Sequence, residues 1–182
     1  MRTGLYVVSG PGGVGKGTVV ATVARRHPEI VVSVSATTRA PRPGEVDGVH
    51  YRFLDDDAFD ALVAADGFLE WASFAGHRYG TPWAGVRTAL SEGHPVVLEI
   101  DVQGAAQVRQ RFPGAVLIFL QPPSAKALAE RLSTRGADDP ERIAERLRLG
   151  QQEMVRAGDF DHRVVNDDLD GAVGAITRIL GG

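Results

Sequence analysis

Gly10-Pro11-Gly12-Gly13-Val14-Gly15-Lys16-Gly17-Thr18 limits what this 182-residue chain can fold into more than any other stretch. It follows an apolar run, Leu5-Tyr6-Val7-Val8-Ser9, that reads as a buried strand. It opens a helical pattern carrying Val19, Val20, Val23 and Ala24, which Arg25-Arg26-His27-Pro28 ends. Strand, glycine-rich turn and helix together form the context of a phosphate-binding loop. The glycines let backbone amides approach an anion, and the positive end of the helix points at the same spot. Lys16 adds a mobile positive charge. The pattern G-x-x-x-x-G-K holds as far as Lys16; Gly17 then stands where many such loops carry a magnesium-ligating hydroxyl, and Thr18 follows one position later. Phosphate binding is expected, and direct metal ligation by the loop is not.

The length fits one domain with a full core, and 43% apolar with 24% charged residues fits a soluble globular chain. With no cysteine, disulfides and thiolate metal sites are excluded. No membrane-length apolar run and no signal-peptide pattern is visible, so a cytoplasmic location is expected. A net charge of -3 argues against a dedicated nucleic-acid binder. Lys16 and Lys126 stand against eighteen arginines, a bias that a GC-rich genome would produce by itself.

Taken in order, Ile30–Ser35 reads as a second strand. The loop 36–45 holds Arg39 and Arg42 on a proline-stiffened segment, a fork suited to a dianionic phosphate. Val49–Phe53 reads as a short strand, and Asp55 caps a helix with Phe59, Leu62 and Val63 inward. Phe68–Phe74 and His77–Thr81 read as a hairpin about Ala75-Gly76, and Pro82 opens a helix. Val96–Asp101 is a strand with two carboxylates, Glu99 and Asp101, at its C-terminal end, where α/β sheets bind ligands. Asp101 serves either magnesium-bound water and substrate or the cap of the following helix. Ala115–Leu120 and His162–Val165 complete the strands. Between them two helices carry Arg131, Arg135 and Arg146, which either converge over a nucleotide or pair with neighbours such as Glu130 and Glu145.

These stretches occur together in an order that resembles the guanylate kinases over essentially the whole length. The matching segments are Gly10 through Lys16, Ser33–Arg39, Arg42-Pro43-Gly44-Glu45, Tyr51-Arg52-Phe53, Phe68–Ala72, Tyr79-Gly80-Thr81, Glu99-Ile100-Asp101, Pro122-Pro123-Ser124, Glu130-Arg131-Leu132 and Val165–Asp168. The resemblance implies an α/β fold of the P-loop NTPase type: a five-stranded parallel sheet with helices on both faces. It also implies a core of 1–38, 91–122 and 151–182, a β-rich GMP-binding insert over about 39–90 and a helical lid over about 123–150. The implied reaction moves the terminal phosphoryl of ATP to GMP, with magnesium as cofactor.

Carried over by resemblance, Lys16, Arg39, Arg135 and Arg146 stabilise the moving phosphoryl. Gly10, Pro11, Gly12, Gly13, Val14, Gly15, Lys16, Gly17 and Thr18 hold ATP with Arg131, Arg135 and Asn166. Arg39, Arg42, Tyr51 and Tyr79 hold the GMP phosphate, and Ser35, Glu70, Thr81, Glu99 and Asp101 surround the rest of GMP. No direct metal ligand is expected; magnesium is held through water near Thr18 and Asp101. A carboxylate such as Glu70 accepts from guanine N1 and the 2-amino group together, which adenine cannot match. Gly12, Gly17 and His77 depart from residues frequent in the family. The partners expected are ATP and GMP, with dGMP as an alternative acceptor, in a monomer or homodimer, with no nucleic acid or membrane. The competing readings are another nucleoside monophosphate kinase, a guanylate-kinase-like binding module without turnover, and an unrelated P-loop ATPase.

Overall fold

The computed structural model describes residues 1–134 and 140–182. Its first strand, β1 (Gly4–Ser9), is buried almost throughout and lies at the centre of a five-stranded parallel sheet. β7 (Pro95–Glu99) and β8 (Val116–Gln121) flank β1, with β2 (Val31–Val32) beyond β7 and β9 (His162–Val165) beyond β8. Both faces of the sheet are covered, so the strands are apolar on both sides rather than alternating with polar residues.

The alternation survives as a division between two cores. Tyr6 and Val8 face Val19, Val20 and Val23 of α1 (Lys16–Arg26) and Val173, Ile176 and Leu180 of α7 (Leu169–Gly181). Leu5 and Val7 face Val86 and Ala89 of α3 (Trp83–Ser91) and Ala105 and Val108 of α4 (Val102–Arg111). The parallel order requires a crossover after each strand, and the helices supply it.

A second sheet of four strands runs in the order β4 (Arg52–Phe53), β3 (Ala36–Thr37), β6 (His77–Pro82), β5 (Phe68–Phe74). β5 and β6 form the expected hairpin, and Ala75 and Gly76 turn it with φ of 49° and 79°. Two positive φ values give the turn a twist matching that of the strands. Helix α2 (Asp56–Ala64) covers this sheet, starting where the Asp55 carboxylate accepts from the Ala58 amide at 2.8 Å. Phe59 lies fully buried against Phe68, ring centroids 4.5 Å apart. The Arg78 guanidinium lies over the Phe59 ring at 4.6 Å and pairs with Asp56 and Asp60.

Strand β5 joins the two layers. Phe68 enters the core of the second sheet while Leu69 enters that of the main sheet. Gln107 of α4 holds the Trp71 backbone from both sides, accepting from its amide at 3.2 Å and donating to its carbonyl at 2.9 Å.

Two expected strands are corrected. Ile30–Ser35 is not one strand: Val31–Val32 pair with β7, and the chain then crosses to the second sheet at Ala36–Thr37. A β-branched run shows extended backbone but not which sheet it joins. Val49–Phe53 shortens to Arg52–Phe53 because the backbone before it is spent in a turn. There the Val49 and His50 amides donate to the Val46 carbonyl, and the Asp47 carboxylate accepts from the Phe53 amide. Pro82 ends β6 and is the N-cap of α3 rather than its first residue.

α5 (Ala125–Thr134) and α6 (Pro140–Val155) follow β8, and the Ser124 hydroxyl accepts from the Ala127 amide at 3.1 Å as a cap. Among the described residues no helix is long and apolar enough to cross a membrane. Replacing Phe59 by alanine should cost about 3–5 kcal/mol, because its ring supports the second sheet on one side and Arg78 on the other. Urea denaturation of the variant measures that loss directly.

Candidate active site

The phosphate-loop stretch leaves the C-terminal end of β1 as expected and makes a turn that only glycine permits at its start. Gly10 has φ of 143°, and a Cβ there would stand 2.0 Å from the Leu120 carbonyl oxygen. Gly15 caps α1 with φ of 99° and no side chain to accept from the helix, and no acidic residue stands in the first turn. The first-turn amides therefore face outward with no side-chain cap, beside the positive end of the helix dipole.

Two side chains brace the loop from behind. The Arg131 guanidinium donates to the Val14 carbonyl at 3.3 Å and to the Asn166 carbonyl at 2.7 Å. The Asn166 side-chain amide donates to the Val14 carbonyl at 2.7 Å. Beside this brace opens a cavity of about 620 Å³ lined by Gly13, Val14, Gly15, Thr18, Arg131 and Asn166, among others. Arg131 and Asn166 thus support the loop's shape as well as lining the cavity.

Lys16 donates to the carbonyls of Gly10 at 2.6 Å and Pro11 at 3.3 Å. Burial pulls its ammonium below the usual lysine range, opposed by Glu153, Glu99 and Asp101. Glu99, at the end of β7, is open to water, yet the surrounding protein still raises its carboxyl, with Lys16 opposing. A Cβ added to Gly17 would come within 3.3 Å of both Glu99 carboxylate oxygens. Asp101 takes the capping role: it accepts from the Gly104 amide at 2.7 Å and begins α4.

Facing this group lies a second one built on β3, β5, β6 and the loop 39–51. Arg39 is bound side-on by the Glu45 carboxylate, with N–O distances of 2.9 and 2.8 Å, and donates to the Ala40 carbonyl at 2.7 Å. The same carboxylate accepts from the Arg42 amide at 2.7 Å, and these bonds pull Glu45 down to about 2. Arg39 also lies over Tyr51 at 5.5 Å, and Tyr51 meets Tyr79 edge-on at 6.0 Å. Burial pushes the Tyr51 phenol up, with Glu99 and Tyr79 adding.

The expected fork of two arginines is therefore changed: Arg39 is already paired, while the exposed Arg42 side chain has no hydrogen bond or ion pair among the described residues. Glu45 was not among the expected site residues, although its place three residues after Arg42 is visible in the sequence.

Glu70 is 6% exposed and no cation pairs with it among the described residues. The fully buried Thr81 hydroxyl donates to it at 2.6 Å. Its other oxygen lies against Gly104, where a Cβ would approach to 2.6 Å. Burial pushes the carboxyl up to about 7, Thr81 opposes that, and the Asp101 charge adds to it. Ser35, half-buried, accepts from the Arg52 amide through its carbonyl at 2.8 Å.

Glu99 is felt by both Lys16 and Tyr51, and Asp101 by both Lys16 and Glu70. One cleft thus holds an amide-rich cationic pole and a pole with a buried carboxylate and aromatic residues. Arg146 lies half-buried on α6, and Arg135 lies outside the described residues. Among the described residues, no group of three or more histidines and carboxylates is disposed to hold a metal ion directly.

Comparison with known proteins agrees with this architecture. The family model described as guanylate kinase matches residues 2–181. A guanylate kinase of Gloeobacter violaceus is 56% identical over 176 residues, covering 97% of this chain and 86% of that protein. One from Thermus thermophilus is 54% identical over 180 residues, covering 99% and 81%. The crystal structure of guanylate kinase from Anaplasma phagocytophilum superimposes with a TM-score of 0.81 at 30% identity, covering 99% of this chain and 85% of that one. The phosphate loop, the second sheet and the full-length match together make this chain a member of the guanylate kinase family.

Proposed function

We propose that the chain transfers the terminal phosphoryl group of ATP to GMP, giving ADP and GDP. The observation that carries this reading is Glu70, a buried carboxylate with no cation beside it among the described residues, across the cleft from a phosphate loop. Burying a charge without a partner is costly, so such a group is retained where a ligand supplies the donors. Guanine N1–H and its 2-amino group are two parallel donors on one edge, and Thr81 fixes the carboxylate that accepts them. The GMP phosphate is held by Arg42, by Arg39 in its pairing with Glu45, and by Tyr51 and Tyr79.

On the other side, the amides of Gly12 through Thr18 and the Lys16 ammonium hold the ATP phosphates, and the cavity beside Arg131 and Asn166 receives the nucleoside. A GMP phosphate oxygen attacks the terminal phosphorus while the bond to the ADP oxygen breaks. The protein's share is alignment and charge neutralisation by Lys16, Arg39 and the arginines Arg135 and Arg146. The insert over about 39–90 and the lid over about 123–150 close on the two nucleotides and exclude water as a competing acceptor.

The residues fit magnesium held largely by phosphate and water. Glu99 lies where a side chain at 17 would otherwise project, Asp101 acts on the neighbouring Lys16, and Thr18 follows Gly17 in the first turn of α1; these are the groups that would orient bound water. When bound, the ion supplies positive charge to the phosphate oxygens.

Offered ATP and magnesium with GMP, AMP, CMP or UMP, the chain should form ADP with GMP alone. Turnover with AMP would move it to adenylate kinase chemistry, and binding without any turnover would favour a recognition module. Arg42→Ala should raise the KM for GMP about tenfold and leave that for ATP unchanged.

Glu70 makes both stability and recognition depend on pH. Its folded pKa of about 7 lies above the unfolded value, so the native state holds the extra proton in between. Its contribution to stability therefore falls as pH rises from about 4.5 to 7, by on the order of 3 kcal/mol. Glu70→Gln should accordingly gain stability over the parent at pH 8 and not at pH 4.5, as read by urea denaturation. The same substitution should lower kcat/KM for GMP by about two to four orders of magnitude. In the parent chain, GMP binding should weaken as pH drops below 7, while ATP binding stays level.

A further inference from the structure

We propose that Glu153 is a stand-in anion on the phosphate loop, which the phosphate of an incoming nucleotide must displace. The inference rests on the reading of this loop as the ATP phosphate site. Glu153 lies on the last turn of α6, far along the chain from the loop, yet its carboxylate accepts from the Gly12 amide at 3.2 Å. The contact follows from how α6 crosses the loop. Gly150 is buried there, and a Cβ on it would stand 3.4 Å from the Pro11 Cβ and 3.1 Å from a Leu128 methyl group. Residues three apart share a helix face, so the close approach at Gly150 brings Glu153 over the loop.

The charge balance points the same way. Lys16, the loop's own cation, is held on the Gly10 and Pro11 carbonyls and lies within the field of Glu153. Crowding by the surrounding protein raises the Glu153 carboxyl, while Lys16 and the Gly12 amide favour its charged form. Without nucleotide, the loop thus has one amide satisfied by an internal carboxylate and its ammonium satisfied by internal carbonyls. A phosphate seeking the Gly12 amide meets a like charge already there. Loading the loop therefore expels Glu153, and the negative charge of the ligand is felt directly by α6, the helix that carries it.

Glu153→Gln keeps a side chain able to accept from Gly12 but removes the competing charge. By calorimetry on the full chain, ADP should bind this variant about three- to tenfold more tightly than the parent, with adenosine binding unchanged. Glu153→Asp, which keeps the charge but shortens its reach by one methylene, should fall between the two. Raising the salt concentration should narrow the difference for ADP. Equal or weaker ADP binding by Glu153→Gln would overturn the inference, as would an equal gain for adenosine, which carries no phosphate. Failure of the parent chain itself to bind ADP would overturn the phosphate-loop reading and this inference with it.

Discussion

A helix start without a side-chain cap, at the end of a buried central strand, is the constraint on which the rest of the structure depends. β1 occupies the centre of the sheet, so its C-terminal end opens between two neighbouring strands rather than at an edge. The chain must turn there under the Leu120 carbonyl, which excludes any side chain at Gly10. It must then start α1 from Gly15, an N-cap with no side chain to accept from the helix. Arg131 and Asn166 hold this uncapped turn in shape by taking the Val14 carbonyl. Three carboxylates, Glu99, Asp101 and Glu153, lie close enough to this turn for their charges to act on Lys16.

The opposite pole of the cleft is built differently. Where the loop relies on backbone groups, the second sheet uses side chains held in place by packing. Glu70 follows Phe68 and Leu69, which are anchored in two different cores, so its carboxylate has little freedom to swing toward water. Thr81, directly across the hairpin in register, holds one of its oxygens. The cost of keeping that charge buried is visible in its raised pKa, and a ligand bearing two donors would recover it. Arg39 shows the converse arrangement, with a cation already neutralised by Glu45 and faced by Tyr51. Its pairing leaves Arg42 as the exposed positive side chain of that loop.

Much of this was legible in the residues, and where it was not the reason is physical. Strands of the main sheet are continuous apolar runs bounded by turns, so β1, β7 and β8 could be placed closely. The run Ile30–Ser35 misled because β-branched residues favour extended backbone without saying which sheet receives it. The expected strand over Val49–Phe53 was cut short because His50 and Asp47 offered local hydrogen bonds that the alternating pattern does not reveal. For Asp101, the sequence allowed either a cap or a ligand-facing carboxylate; the structure shows the cap through one oxygen while leaving the charge within reach of Lys16 and Glu70.

The sequence by itself determined the phosphate loop, the parallel α/β architecture and the family, because glycine spacing and apolar runs are local and act over a few residues. Only the tertiary structure decided which charges meet. Glu45 closes on Arg39, Glu153 reaches Gly12 from the far side of the chain, and Glu99 comes to lie over Gly17. Electrostatic partners are chosen by distance in space and by the loss of surrounding water. Neither quantity exists until the sheets and helices have packed.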